Sequence, residues 1–255
     1  MTQVNFDGSF AGFLCSVFEV YERRLEVVRL MRPANCESSL WESLNITTDT
    51  QKAKRVWSGL QRKLSNKGLQ NIYKTFLSEI PGCDDNLLLF IKHAFTHNHS
   101  VEDDFAFEPA LYVQQTARKV HREKHRMEAF VRFERFQDDL HVALVQPDYN
   151  VLPLIAPHFT NRYTTQNWLI YDAKRRYGIH HPADASSVDE VQVSWLTKDR
   201  PDAQYLHEEE LHYQQLWKEY FSHVNIKSRK NLKLHIRHVP VRYWKYLTEK
   251  QDLMA

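Results

Sequence analysis

The sequence predicts an α+β protein, with helical N-terminal and C-terminal regions around a small antiparallel β-sheet. Three observations carry this expectation. Apolar residues recur at three- and four-residue spacing near both ends, β-branched and aromatic runs cluster between Met127 and Trp195, and Pro81-Gly82 and Gln137-Asp138-Asp139 break the chain between elements. With 42% hydrophobic residues in 255 the chain can bury a large core, and only 6 glycines and 9 prolines argue against a low-complexity segment.

Asp7-Gly8-Ser9 precedes Phe10, Phe13, Leu14, Val17, Phe18 and Tyr21, which fall on one helical stripe, with Asp7 or Ser9 as the N-cap. A polar stretch from Cys36 to Thr50 reads as a connector with little regular structure. Helices are expected around Lys52–Leu64, Lys67–Ile80 and Asp84–His97, with Pro81-Gly82 separating the last two, and helical character returns from Glu108 to Arg126. Phe130, Val131 and Phe133 then suggest a strand, Gln137-Asp138-Asp139 a turn, and Leu140 to Val145 its antiparallel return. Strand alternation would place Phe130 and Arg132 on one face, with Val131, Phe133 and Arg135 on the other. Val151 to Tyr163 should contain a short helix beginning near Pro157. Trp168–Tyr171 and Val188–Trp195 read as further strands, and the tail returns to helix at Glu208–His223 and around Pro240–Leu247. The expected organisation is a helical region over residues 1–107 and an α+β region over residues 108–255, packed as one unit.

The formal charge of +2 says little about partners, but its distribution says more. Lys227, Arg229, Lys230, Lys233, Arg237, Arg242 and Lys245 follow one another with no acidic residue among them, while Glu102, Asp103, Asp104 and Glu108 form a separate acidic patch. Such a basic run fits either phosphate contacts or an ordinary solvated face. Cys15, Cys36 and Cys83 form no CxxC pair, so neither an iron–sulfur motif nor a disulfide scaffold is encoded, and Cys15 reads as a core residue. No apolar run approaches the roughly 20 residues of a membrane span, and no signal-peptide pattern opens the chain. The expectation is a cytoplasmic protein without a membrane partner.

Charged groups are threaded through the apolar block from His125 to Arg176, where burial is costly unless each finds a partner. Asp172 and His158 are the catalytic candidates: Asp172 ends a strand just before Arg175 and Arg176, and His158 lies four residues before Arg162. Together they fit a pocket for an anion or nucleobase, or an internal ion-pair network. Arg132 beside Phe130 suits base stacking or an ordinary cation–π contact. In the tail, Arg229, Asn231, Lys233, Arg237 and Arg242 are the backbone-contact candidates, while Tyr243, Trp244 and Leu247 either stack on bases or pack the last helix onto the body. The pairs His93/His97 and His121/His125 have metal-ligand spacing, yet Arg122, Lys124 and Arg126 would repel a cation, so no metal and no cofactor are expected.

Several blocks in order carry a family resemblance. They are Asp7-Gly8-Ser9-Phe10 with Phe18-Glu19-Val20-Tyr21-Glu22, His125 to Phe133, His158-Phe159 with Arg162, Trp168-Leu169-Ile170-Tyr171-Asp172 with Arg175, Leu216-Trp217 with Tyr220-Phe221, Arg229 with Asn231, and Pro240 with Tyr243-Trp244. The chain resembles the bacterial DNA-metabolism proteins that carry a domain of unknown function. That resemblance implies association with a radical SAM protein of DNA modification or repair, and with uracil-DNA glycosylase-like domains. It supplies no catalytic residues. The combined expectation is an accessory protein that binds DNA, single-stranded or damaged, beside a partner enzyme. The alternatives are an enzyme acting on a nucleic-acid base or nucleotide with Asp172 as acid or base, and a purely protein-interacting partner of a radical SAM enzyme.

Overall fold

The computed structural model describes residues 2–26, 28–33, 43–97, 101–193, 205–224 and 231–253. The chain divides into two compact units, Met1–His121 and Arg122–Ala255.

The first unit is not wholly helical. Strand β1 (Thr2–Asn5) runs parallel to β2 (Val28–Met31) on one side and to β3 (Ser43–Asn45) on the other. This corrects the expectation for the N-terminal region, and β3 lies inside the stretch expected to be a connector. Strands of three or four residues are too short to show alternation, and parallel partners are joined by crossovers rather than by hairpin turns that leave a local signature.

Helix α1 (Phe10–Glu22) starts at Ser9, whose Oγ accepts the Gly12 N–H at 2.9 Å and donates to Asp7 Oδ1 at 2.7 Å. Both N-cap candidates therefore act, one as the cap and the other as its support. Ser9→Ala is expected to cost about 1 kcal/mol, read as a lower urea midpoint.

Helices α2 (Thr50–Lys63), α3 (Asn66–Phe76) and α4 (Cys83–Thr96) bury Leu60, Ile72, Leu87 and Ile91 completely, as α1 buries Phe13. Helix α3 stops before the expected Ile80. The chain turns through Glu79 (φ 53°) and Gly82 (φ 81°), left-handed conformations incompatible with continuing a helix. Cys15 is buried, as expected of a core residue, and burial pushes the Cys83 thiol up to about 12, which makes it inert. Cys36 lies outside the described residues.

Helix α5 (Glu108–Phe130) spans the boundary between the units. It runs past Arg126 through Phe130, so the expected strand over residues 130–133 does not form. Phe130 ends the helix, Arg132 lies in the loop after it, and β4 is only Glu134–Arg135. The helix-forming run Glu123 to Ala129 outweighs the local aromatic signal because Met127 continues the buried stripe of Ala110, Val113, Ala117 and Val120.

The second unit holds a five-stranded sheet in the order β4-β5-β6-β7-β8, with β5 His141–Val145, β6 Trp168–Asp172, β7 Tyr177–His181 and β8 Asp189–Val191. A hairpin forms about the expected Gln137–Asp139 turn, with Glu134–Arg135 rather than residues 130–133 as its first strand, but the sheet is mixed rather than antiparallel: β5 and β6 are parallel, and the other pairings are antiparallel. The reason is α6 (Leu152–Arg162), which carries the chain from the end of β5 back to the start of β6. This helix starts earlier than expected, with Pro153 in its first turn, where the missing N–H costs nothing.

All five residues of β6 are buried, and their side chains alternate between two covered faces. Leu169 and Tyr171 join Phe136, Val142 and Leu144 on one face. On the other, Trp168 meets Phe133 and Phe159 and stacks on His181 at 5.1 Å. Trp195, at the end of the last expected strand, lies outside the described residues. The tail forms α7 (Glu210–Val224), α8 (Leu232–His238) and two 3-10 turns, Val241–Tyr246 and Thr248–Leu253, so the helix expected around Pro240–Leu247 is the tighter 3-10 form. Among the described residues no helix is long and apolar enough to cross a membrane.

Candidate nucleic-acid interface

Parallel pairing sets Val145 of β5 beside Asp172 of β6, so the carboxyl ends of both strands open on the same edge. There the turn Pro147–Asn150, which follows β5, meets the turn between β6 and β7. Asp172 holds the second turn shut. Its Oδ1 accepts the N–H groups of Lys174 (2.9 Å) and Arg175 (3.2 Å), while its Oδ2 accepts Arg175 Nη1 at 2.8 Å. Arg175 also donates to the carbonyls of Pro147 (3.2 Å) and Asp148 (3.0 Å), tying the two turns together. Lys174 Nζ reaches the Asp148 carbonyl at 3.0 Å. Arg176 takes the left-handed conformation (φ 58°) that closes the turn, and it is exposed.

The other side of this edge is built on Glu123 of α5, which is 1% exposed and occupies an inward position between Val120 and Met127. Its Oε1 accepts the Asp148 N–H at 2.8 Å and the Tyr243 hydroxyl, and its Oε2 accepts Arg242 Nη2 at 3.1 Å. Arg126 Nη1 lies 3.7 Å from the same oxygen. Arg242 bridges on to Asp148 Oδ2 at 2.7 Å, with its guanidinium 4.5 Å from the Tyr243 ring.

Burial pushes the Tyr243 hydroxyl well above its ordinary value, and the bond to Glu123 adds to the shift. Tyr149 is raised by burial and by Asp148 and Glu123, with Arg242 and Arg122 acting in the opposite direction. Arg122, Arg126, Lys174, Arg175 and Arg242 thus surround one turn, against three carboxylates: Glu123, Asp148 and Asp172. The excess is cationic, and Arg122, Lys174, Arg176 and Arg242 are exposed.

The remaining candidates are placed elsewhere. Arg132 is a strut: it donates to Glu249 Oε1 (2.9 Å) and to the carbonyls of Ala129 (2.9 Å) and Val131 (3.2 Å), beside the Trp217 ring. Burial acts to raise the Glu249 carboxyl, but bonds from Arg132 and Trp217 outweigh it and leave the group below the usual range. His158 on α6 lies 4.0 Å from Glu128 and edge-on to Phe159, and Arg162 lies over Tyr163. Asp172 and His158 therefore sit in different neighbourhoods.

Asn231 caps α8, its Oδ1 accepting the Leu234 N–H at 3.0 Å, and Lys233 and Arg237 are exposed on that helix. Arg229, with Lys227 and Lys230, lies outside the described residues. Tyr243, Trp244 and Leu247 are buried, which decides for packing over stacking. His93 and His97 are 4.1 Å apart ring to ring, with His93 paired to Asp104, and among the described residues no group of three or more His, Cys, Asp or Glu is placed to hold a metal ion. Sequence reasoning missed Arg122, Glu123, Arg126, Asp148, Tyr149 and Lys174 as members of the site. The available signal was Glu123 itself, a carboxylate inside an apolar helical stripe.

The profile of a protein family described as a domain of unknown function, DUF4130, matches residues 81–249, about two thirds of the sequence. The chain belongs to the DUF4130 family. The matched span contains Glu123, Asp148, Asp172 and Arg242, so the whole cluster lies within the DUF4130 region. No curated protein matches the chain. A solved structure described as the pGpG-specific phosphodiesterase PggH from Vibrio cholerae is similar to this DUF4130 protein with a TM-score of 0.35 and 9% identity, over 70% of this chain and 81% of that one.

Proposed function

We propose that the protein binds nucleic acid, single-stranded or damaged DNA in particular, as an accessory to a DNA-modifying or repair enzyme. The observation that carries this reading is the cationic excess around the Pro147–Asn150 turn, contributed by three separate segments and stiffened by two buried carboxylates. Rigidly held guanidinium and ammonium groups at a strand edge suit phosphate oxygens, which position a strand without reading its sequence. The resemblance supports the repair or modification setting, with a radical SAM or uracil-DNA glycosylase-like protein as the partner enzyme. Acid–base catalysis by Asp172 has no comparable support, because that carboxylate has no exposed surface and accepts three bonds.

Fluorescence anisotropy with labelled single-stranded DNA over a salt series tests the reading. Binding is expected to weaken steeply with salt. Combined Arg122→Gln, Lys174→Gln and Arg176→Gln is expected to flatten the log–log slope by about two, at roughly 0.7 for each phosphate no longer neutralised. Absent or salt-indifferent association would sink the proposal.

A further inference from the structure

Helix α7 is amphipathic in the wrong sense for a helix lying on its own core. At about 100° per residue, Tyr213, Leu216, Tyr220 and Val224 share a sector about 80° wide. All four are exposed, and Tyr213, Tyr220 and Val224 are each more than half exposed. The side turned to the body is instead held by polar contacts. Glu210 accepts the Arg135 N–H at 3.0 Å and Gln214 Nε2 at 3.1 Å, Trp217 Nε1 donates to Glu249 at 2.9 Å, and Lys250 lies 4.5 Å from the Phe221 ring. A contiguous apolar stripe turned to water marks a surface that another macromolecule covers.

We infer that a second copy of this chain covers it, with α7 of each copy lying against α8 of the other. The two helices are complementary in charge and alike in exposing apolar side chains. Glu208, Glu209 and Glu219 are exposed on and just before α7, against Lys218 as the one lysine or arginine there and with Glu209 also 3.5 Å from Arg135, whereas α8 exposes Leu232, Leu234 and Ile236 beside Lys233 and Arg237, with no acidic residue from Asn231 to Tyr246. One chain therefore carries both halves of an apolar contact with opposite charges. A two-fold axis satisfies both at once, since α7 meets α8 twice. Single-stranded nucleic acid fits this surface less well. Tyr213 and Tyr220 offer stacking planes, but Leu216, Val224, Leu232, Leu234 and Ile236 do not, and the exposed acids on and just before α7 would repel phosphate. The inference is independent of the phosphate-binding cluster.

Sedimentation equilibrium of the full chain is the test, with circular dichroism to confirm that each variant is folded. The wild type is expected at twice the chain mass, and the exposed-site variants Leu216→Glu and Tyr220→Glu at one chain mass. Arg237→Glu is expected to weaken the dimer about tenfold or more, and adding Glu219→Lys to restore it, because like charges across an interface are costly and swapped ones are not. A monomeric wild type overturns the proposal, whatever other partner the stripe then proves to hold. So does a dimer untouched by all four substitutions. If Tyr220→Glu leaves the mass unchanged but abolishes DNA binding, the stripe belongs to nucleic acid and the dimer proposal fails.

Discussion

Glu123→Ala is expected to destabilise the Arg122–Ala255 unit by about 3–5 kcal/mol, the range for breaking a buried charged network by removing one partner. The Tyr243 hydroxyl, on a residue 2% exposed, loses its carboxylate acceptor, and the Asp148 N–H loses its own. Each unsatisfied buried group costs about 1–3 kcal/mol. Arg242 suffers less, being exposed and still paired to Asp148. Glu123→Gln should cost roughly half as much as the alanine variant, since an amide oxygen replaces one acceptor while its NH2 faces the Arg242 donor. Urea unfolding followed by tryptophan fluorescence reads both, and an alanine variant within about 1 kcal/mol of wild type would show that the network does not hold the tail to α5.

Arg175→Met should cost a similar amount at neutral pH, about 3–5 kcal/mol, because it leaves the fully buried Asp172 carboxylate with backbone donors alone. The pH dependence distinguishes this from poorer packing. Burial already raises Asp172 above its ordinary value of 3.8, against the opposing pull of Arg175. A carboxyl raised in the folded state keeps a proton that the unfolded chain releases. Its contribution is therefore full below the ordinary value and is lost as pH rises through the raised one. Without Arg175 the folded value climbs further, so the deficit of the variant should be small at acid pH, below the ordinary carboxyl value, and should grow as pH rises. Adding Asp172→Asn should recover part of the loss, since the amide oxygen still accepts the turn N–H groups and carries no charge. A deficit independent of pH would assign the effect to side-chain packing instead.

Much of the element order was legible because it rests on local physics. Ser9 caps α1 through its own hydroxyl, Gly82 breaks the chain by its left-handed backbone, and the Gln137–Asp139 turn folds β4 onto β5. The two turns of the candidate interface were half legible. Asp172 and Arg175 stood out as charges at the end of an apolar strand. Asp148, alone in a polar turn, carried no signal until its backbone N–H was found on Glu123. Phe130 and Arg132 misled because an aromatic and an arginine at alternating positions suit a strand, whereas the helix-forming run from Glu123 and the buried Met127 carry α5 as far as Phe130 and leave Arg132 in the loop beyond it.

The sequence by itself determined that Arg132, Asp172 and Arg175, in the block from His125 to Arg176, lie in apolar surroundings and must be partnered, while Glu123 just before that block was missed. Burial of such groups is costly wherever the chain goes, so the demand for partners is written in composition and spacing. Which partner each one takes was decided only by tertiary structure. The parallel pairing of β5 with β6, imposed by the crossover through α6, brings the ends of both strands to one edge. An antiparallel pair would have set Asp172 beside the start of β5, far from Asp148. Pairing direction depends on a connection between strands rather than on the residues within them, which is why no reading of the strands alone could have placed the cluster.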